Sequence, residues 1–145
     1  MLGNFKKAIF RILCLCCVYW GGGLMAEPNP EELVLLDIKS YEKQDFSKAR
    51  KYFEKACGLN NGGGCSGLGF LLYGSGKGVE KDLTKAAYFY SKACDLKDGC
   101  GCSFLGGLYY NGDGVKQDSK KAVALFEKAC KLGYKKACEM LKELR

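Results

Sequence analysis

The chain has 145 residues, 48% hydrophobic and 27% charged, with 20 glycines, 10 cysteines and no histidine. This length and composition fit a single small globular domain and argue against a disordered chain or a multidomain enzyme. Without histidine the chain cannot form a Ser-His-Asp triad, a Cys-His pair or an imidazole-ligated zinc site. The formal charge is +7, but without three basic residues of the predicted leader 20 Lys and Arg stand against 16 Asp and Glu, a mildly basic net charge of +4.

Residues 1–26 have the pattern of a secretory signal peptide. Lys6, Lys7 and Arg11 form a positively charged end, and the uncharged stretch 12–26 precedes a polar segment. This stretch is shorter than the roughly 20 residues that a transmembrane helix needs, so a retained anchor or a lipoprotein is the weaker interpretation. We expect the mature protein, residues 27–145, to be secreted or periplasmic, with no stable membrane insertion after cleavage.

The mature chain contains an internal repeat of 36 to 37 residues. Six of its cysteines form three pairs with a spacing of eight residues: Cys57 and Cys65, Cys94 and Cys102, and Cys130 and Cys138. Alanine, leucine and aromatic positions recur with the same displacement. A period of this length is typical of an α-solenoid, in which each unit is a pair of helices. The sequence therefore predicts an all-α fold of stacked helix pairs, here named helix A and helix B.

Three full units are predicted at residues 45–81, 82–117 and 118–145. Residues 31–44 resemble a helix B that lacks its helix A. Each helix A is expected to follow an aspartate cap such as Asp82, and helix B to begin near the second cysteine of its unit. Gly69 and Gly106 recur inside helix B, which indicates a crossing where no side chain fits.

Export to an oxidising compartment makes disulfides the expected state of the cysteine pairs, one for each helix pair. The mature chain has no Cys-x-x-Cys pair, so neither a metal nor another cofactor is predicted. Cys100 breaks the repeat and is expected to be unpaired. Cys100 could be a lone surface thiol, or it could form a disulfide with a second molecule and so make a dimer. It could also compete with Cys102 for Cys94.

Two glycine-rich segments carry a family resemblance. Gly76-Lys77-Gly78-Val79 and Gly112-Asp113-Gly114-Val115, each followed by a spaced Asp and Ala, resemble Sel-like repeats of the tetratricopeptide type. The Lys-Ala-Cys ending of helix A and the cysteine spacing resemble the Helicobacter cysteine-rich protein family over residues 31–145. The resemblance implies a secreted right-handed superhelix with one disulfide across each helix pair. It also implies penicillin binding, slow β-lactam hydrolysis and contact with host cells.

Catalytic candidates are weak. Ser40-Tyr41-Glu42-Lys43 matches the Ser-x-x-Lys motif of serine β-lactamases, but Ser-Asp-Asn and Lys-Thr-Gly are absent from the chain. Ser40 and Lys43 are therefore weak candidates only, and the catalytic residues of any hydrolase activity stay unknown.

A stacked-helix solenoid presents a groove, expected to be concave and lined by helices A, that suits an extended peptide. The exposed groove candidates are Arg50, Lys51, Tyr88 and Ser91. One hypothesis is a secreted scaffold that binds peptide, protein or cell-wall ligands such as a peptidoglycan fragment or a β-lactam, with or without slow hydrolysis. The alternative is a purely non-catalytic scaffold for host or envelope proteins. The lysines of the last unit fit a solvated face, so no nucleic-acid partner is predicted.

Overall fold

The computed structural model describes residues 45–74 and 79–144, and all regular structure in these segments is helical. The helices of these segments are α1 (Phe46–Gly58), α2 (Gly62–Tyr73), α3 (Leu83–Asp95), α4 (Gly99–Asn111), α5 (Ser119–Lys131) and α6 (Lys135–Leu144). The predicted all-α class is confirmed, with α1, α3 and α5 as helices A and α2, α4 and α6 as helices B. The predicted leader, 1–26, and the half-repeat, 31–44, lie outside the described residues.

Each helix A begins after an aspartate, as predicted. The carboxylates of Asp45, Asp82 and Asp118 accept hydrogen bonds from the backbone N–H three residues later, at 3.2, 3.0 and 3.0 Å. A side-chain cap of this kind satisfies one of the donors that the first turn of a helix leaves unpaired. The repeated cap therefore sets the start of helix A in all three units.

Helix B begins three residues earlier than predicted in the first two units, at Gly62 and Gly99. Its caps are Asn61 and Asp98, which accept hydrogen bonds from the N–H of Gly64 at 2.8 Å and of Cys100 at 3.2 Å. The first turn lies against helix A so closely that a Cβ on Gly64 would stand 2.5 Å from Cβ of Ala56. The glycine run that reads as a loop is therefore helical, because its cap and close packing offset its low helix propensity.

The units stack through an aromatic side chain on each helix A. Phe53, Tyr90 and Phe126 are each 1% exposed. A Cβ on Gly69 would lie 2.8 Å from ring atoms of Tyr90, and one on Gly106 would lie 2.9 Å from Phe126. The predicted crossing is confirmed, since the ring of one unit occupies the space that glycine leaves in the helix B before it.

The third unit ends differently. Lys142 occupies the position of Gly69 and Gly106 and is exposed. Helix α6 buries only Ala137 and Leu141, and among the described helices its dense packing is with α5. The third unit therefore has a long charged side chain at the position where the first two units have the glycine that accepts the next aromatic ring.

One disulfide joins helix A to helix B in every unit, as predicted. The bonds are Cys57–Cys65, Cys94–Cys102 and Cys130–Cys138, with Cα–Cα distances of 4.5, 4.5 and 4.8 Å.

The expectation for Cys100 is wrong. Cys100 lies in the first turn of α4, is 4% exposed and is disulfide-bonded, so it is neither a surface thiol nor unpaired. It takes the position of Gly63, which is also buried. We therefore propose no dimer through this cysteine.

Candidate functional site

The outward side of helices A carries the predicted binding residues. It lies opposite the stripe of alanines and aromatic rings that each helix A buries against its neighbours. We name this surface the helix A face. Its members, in unit order, are Ser47, Lys51, Glu54 and Lys55 on α1, Thr84, Tyr88, Ser91 and Lys92 on α3, and Lys120, Ala124, Glu127 and Lys128 on α5.

Three of the four predicted groove residues lie on this face. Lys51 and Tyr88 occupy the same position in successive units and are both exposed, and Ser91 is half-buried at the position of Glu54. Arg50 is exposed beside this face. It lies on the flank of α1, where it donates a hydrogen bond to Glu54 at 2.8 Å, and its counterpart in the second unit is the buried Ala87.

Tyr88 is the largest exposed side chain of the helix A face in the middle unit. It is 62% exposed, and its ring meets the edge of Phe89 at a centroid distance of 5.1 Å. Exposed tyrosines that are held in place by a neighbouring ring often dominate the energetics of protein interfaces. Tyr88 can therefore offer a broad contact surface at the centre of the array.

Charge is distributed unevenly between the two sets of helices. The three helices A contain ten Lys and Arg residues but only three Asp and Glu, whereas α2 and α4 contain no charged residue. Helices α2 and α4 instead expose the aromatic rings of Tyr73, Phe104 and Tyr110. The surface thus has a cationic side made by helices A and an uncharged, aromatic side made by α2 and α4.

Two lysines contact aromatic rings between helices A and B. Nζ of Lys121 stands 4.4 Å from the centroid of Tyr109, and Nζ of Lys81 stands 5.9 Å from that of Tyr73. The hydrogen bond and charge of Tyr109 raise the pKa of Lys121. These contacts tie the cationic side to the neighbouring helix B.

A buried polar pair that the sequence analysis missed connects the first two units. The hydroxyl of Ser66 donates a hydrogen bond to the carboxylate of Asp98, and the two residues are 6% and 9% exposed. Burial raises the pKa of Asp98, although hydrogen bonds from Ser66 and from the start of α4 oppose this. Asp98 stands one repeat after Asn61, at the position that caps helix B. This correspondence is the sequence signal that could have predicted the role of Asp98. Its burial leaves no access for a substrate, so the pair serves the stacking of units.

The hydroxyl of Tyr90 has no hydrogen-bond partner among the residues that the structure describes. The ring stacks on Phe104 at a centroid distance of 5.2 Å, and burial together with the nearby Tyr73 raises the pKa of the hydroxyl. The corresponding residues of the other units are Phe53 and Phe126, which carry no hydroxyl. Tyr90 thus fills a structural position at the cost of an unpaired polar group.

Depressions open at both ends of the described array of helices. One, of about 750 Å³, runs along α1 and is bordered by seven residues: Asp45, Ser47, Lys48, Lys51, Tyr52, Glu54 and Lys55. The other, of about 440 Å³, lies between α5 and α6 and is bordered by Glu127, Cys130, Lys131, Cys138, Leu141 and Lys142. Lys51, one of the predicted binding residues, borders the first depression.

The weak catalytic candidates Ser40 and Lys43 lie outside the described residues. Within residues 45–74 and 79–144, no three His, Cys, Asp or Glu side chains cluster as metal ligands would. None of the helices described for this chain has the length and apolar character to cross a membrane.

Comparison with known proteins gives a consistent set of matches. The model of the Sel1 repeat matches residues 40–61, 64–98 and 101–134. Over 81 residues, 56% of this chain, the sequence is 58% identical to HcpC of Helicobacter pylori J99, provisionally named a beta-lactamase, and 53% identical to the beta-lactamase HcpA of the same strain. These matches span 27% of HcpC and 32% of HcpA, about a quarter to a third of each relative.

Two solved structures are similar over most of the chain. Helicobacter pylori cysteine-rich protein B is 41% identical, with a TM-score of 0.68 and coverage of 95% of both chains. A Sel1 repeat protein from Oxalobacter formigenes is 26% identical, with a TM-score of 0.67 over 79% of this chain and 88% of its own.

Proposed function

This chain belongs to the Sel1 repeat family and is a homologue of the Helicobacter cysteine-rich proteins, and we propose that it is a secreted scaffold that binds a peptide or protein ligand on its helix A face. Sel1 repeats resemble tetratricopeptide repeats, whose stacked helices serve protein–protein interaction. The disulfides and the Helicobacter homologues indicate an extracytoplasmic protein.

The observation that carries this proposal is a contrast between the buried and the outward positions of helix A. The buried positions hardly change between units, as with Ala49, Ala86 and Ala122. The central outward position is instead Lys51 in the first unit, Tyr88 in the second and Ala124 in the third. A repeated framework with a varied outer surface is what a binding array needs, since the framework holds the helices while the outer residues select the ligand.

The experiment compares two exposed tyrosines on different sets of helices, Tyr88 on the helix A α3 and Tyr110 on the helix B α4. Random dodecapeptides displayed on phage are selected on the oxidised protein, and the affinity of the best synthetic peptide is measured by fluorescence anisotropy. Tyr88→Ala is expected to weaken binding about tenfold, or about 1.4 kcal/mol. Tyr110→Ala removes a ring that is 44% exposed on α4, and it is expected to leave the affinity unchanged.

Circular dichroism confirms that both variants keep their helical content. If Tyr110→Ala weakens binding and Tyr88→Ala does not, the ligand lies on the side of helices B and the proposal fails. If no peptide is selected, or if neither variant affects the affinity, the helix A face is not a peptide-binding surface.

A second candidate function is binding or slow hydrolysis of a β-lactam or a related peptidoglycan fragment. The name of HcpA, which is 53% identical over the shared segment, favours it. Incubation of the protein with a fluorescent penicillin would distinguish the two. Repeated turnover would make the chain a hydrolase, and a covalent label that is lost in Ser40→Ala would assign the nucleophile. If neither turnover nor a covalent label is observed, the non-catalytic scaffold is the function that stands.

A further inference from the structure

The three disulfides that join a helix A to a helix B in the described part of the chain differ in their exposure to solvent. Cys57, Cys65, Cys94 and Cys102 are at most 3% exposed, whereas Cys130 and Cys138 are both partly exposed. The bonds share the same sequence separation and join the same helix ends. The difference therefore comes from what covers each bond.

Each of the first two disulfides is covered by the unit that follows it. Cys57 and Cys65 pack with Ala93 of the second unit, and Cys94 and Cys102 pack with Ala122, Phe126 and Ala129 of the third. The third disulfide is partly exposed at both of its cysteines. Cys130 and Cys138 instead border the open depression of about 440 Å³ between α5 and α6.

The same depression is bordered by two cations, Lys131 and Lys142, and both are exposed. Positive charge near a disulfide attracts an incoming thiolate and stabilises the cysteine thiolate that leaves. Glu127 is the one acidic residue at the border. The opening is therefore suited to a small thiol that carries negative charge.

We propose that Cys130–Cys138 is a site of thiol–disulfide exchange that takes small anionic thiols as its substrate. The thiolate attacks one cysteine sulfur, the S–S bond breaks, and the other cysteine leaves as a thiolate that takes a proton from water. A second thiolate then attacks the mixed disulfide, which releases the oxidised dimer of the small thiol and leaves two cysteine thiols. Two electrons pass from the two small thiols to the protein disulfide.

The test uses glutathione as the small anionic thiol. The oxidised full chain is incubated with glutathione under native conditions, free thiols are trapped with N-ethylmaleimide, and the modified cysteines are identified by peptide mass spectrometry. Modification of Cys130 and Cys138 is expected to be at least about tenfold faster than that of the four buried cysteines, because exchange depends on access of the thiolate to sulfur. The two buried pairs, Cys57–Cys65 and Cys94–Cys102, also report global unfolding, because unfolding would expose them together with Cys130–Cys138.

Charge variants test the role of the two lysines. The double variant Lys131→Ser and Lys142→Ser should slow the reaction with glutathione, and should have a smaller effect with the cationic thiol cysteamine at equal thiolate concentration. The matched control, Lys135→Ser and Lys136→Ser, removes the same charge from exposed positions of α6 outside the depression. Equal reduction of all three bonds, or earlier reduction of a buried one, would overturn the exchange site. Equal effects of the two double variants would overturn the selection for anionic thiols.

Discussion

Two neighbouring glycines of α4 allow a matched test of how the units stack. A Cβ on Gly106 would lie 2.9 Å from Cε1 and 3.0 Å from Cδ1 of Phe126, and 3.2 Å from the carbonyl oxygen of Ala122. A Cβ on Gly107 would meet no atom within 4 Å. Both residues lie inside the same helix, so replacement by alanine gives each the same gain in helix propensity.

The two substitutions are expected to change the free energy of unfolding in opposite directions. The gain in helix propensity from glycine to alanine is about 1 kcal/mol. At Gly106 this gain is opposed by overpacking, which costs about 1 to 3 kcal/mol in a dense core. Phe126 is only 1% exposed and cannot swing into solvent to relieve the contact. We therefore expect Gly107→Ala to stabilise the protein by about 1 kcal/mol and Gly106→Ala to destabilise it by up to about 2 kcal/mol.

Urea denaturation of the oxidised proteins, followed by far-ultraviolet circular dichroism, measures both values. The difference between the variants isolates the cost of contact with Phe126, because the propensity change is common to both. A Gly106→Ala variant as stable as Gly107→Ala would show that the third unit accepts a methyl group at this crossing. The argument that glycine is needed to seat the ring of the next unit would then be wrong.

Two further substitutions test the buried polar groups, and both borrow residues from other units. Tyr90→Phe removes a hydroxyl that has no partner and should raise the free energy of unfolding by about 1 kcal/mol in urea denaturation; a loss of stability would reveal a bound partner for the hydroxyl. Burial raises the pKa of Asp98 above its ordinary 3.8, so the folded state binds the proton of this carboxyl group more tightly than the unfolded state does. The stability that comes from this tighter proton binding is lost as pH rises through the raised pKa. Asp98→Asn, which introduces the residue that Asn61 provides in the first unit, should remove this loss. Urea denaturation across a pH series should then show the free energy of unfolding of the variant, relative to the wild type, rising above pH 3.8. A difference that does not change with pH would refute the raised pKa of Asp98.

The repeated residues were sufficient to predict most of the fold. Cysteine spacing, aspartate caps and the Ala and aromatic stripe fixed the helix pairs and their disulfides, because each of these features acts within one unit. The role of Gly69 and Gly106 could also be inferred, since a glycine that recurs inside a helix loses propensity in every unit and needs a packing reason.

The features that sequence reasoning missed all depend on contacts between units. Periodicity places Arg50 on the outward side of α1, where it is exposed, but it does not show that the equivalent Ala87 of the second unit is buried. The hydrogen bond from Ser66 to Asp98 joins residues 32 positions apart, a separation that no helical pattern contains. The repeat also gave no signal that Cys100 is buried and disulfide-bonded.

The distribution of glycine explains why the three disulfides need not have the same role. Helix α2 contains five glycines and α4 contains four, whereas α6 contains none. Each glycine costs a helix about 1 kcal/mol relative to alanine, so these glycines destabilise α2 and α4 by several kcal/mol. A disulfide that closes so short a loop stabilises the folded protein by roughly 2.5 kcal/mol. The first two bonds therefore offset a cost that close stacking imposes. Helix α6 has no such cost to offset, so its disulfide can open with less loss of structure than either of the others.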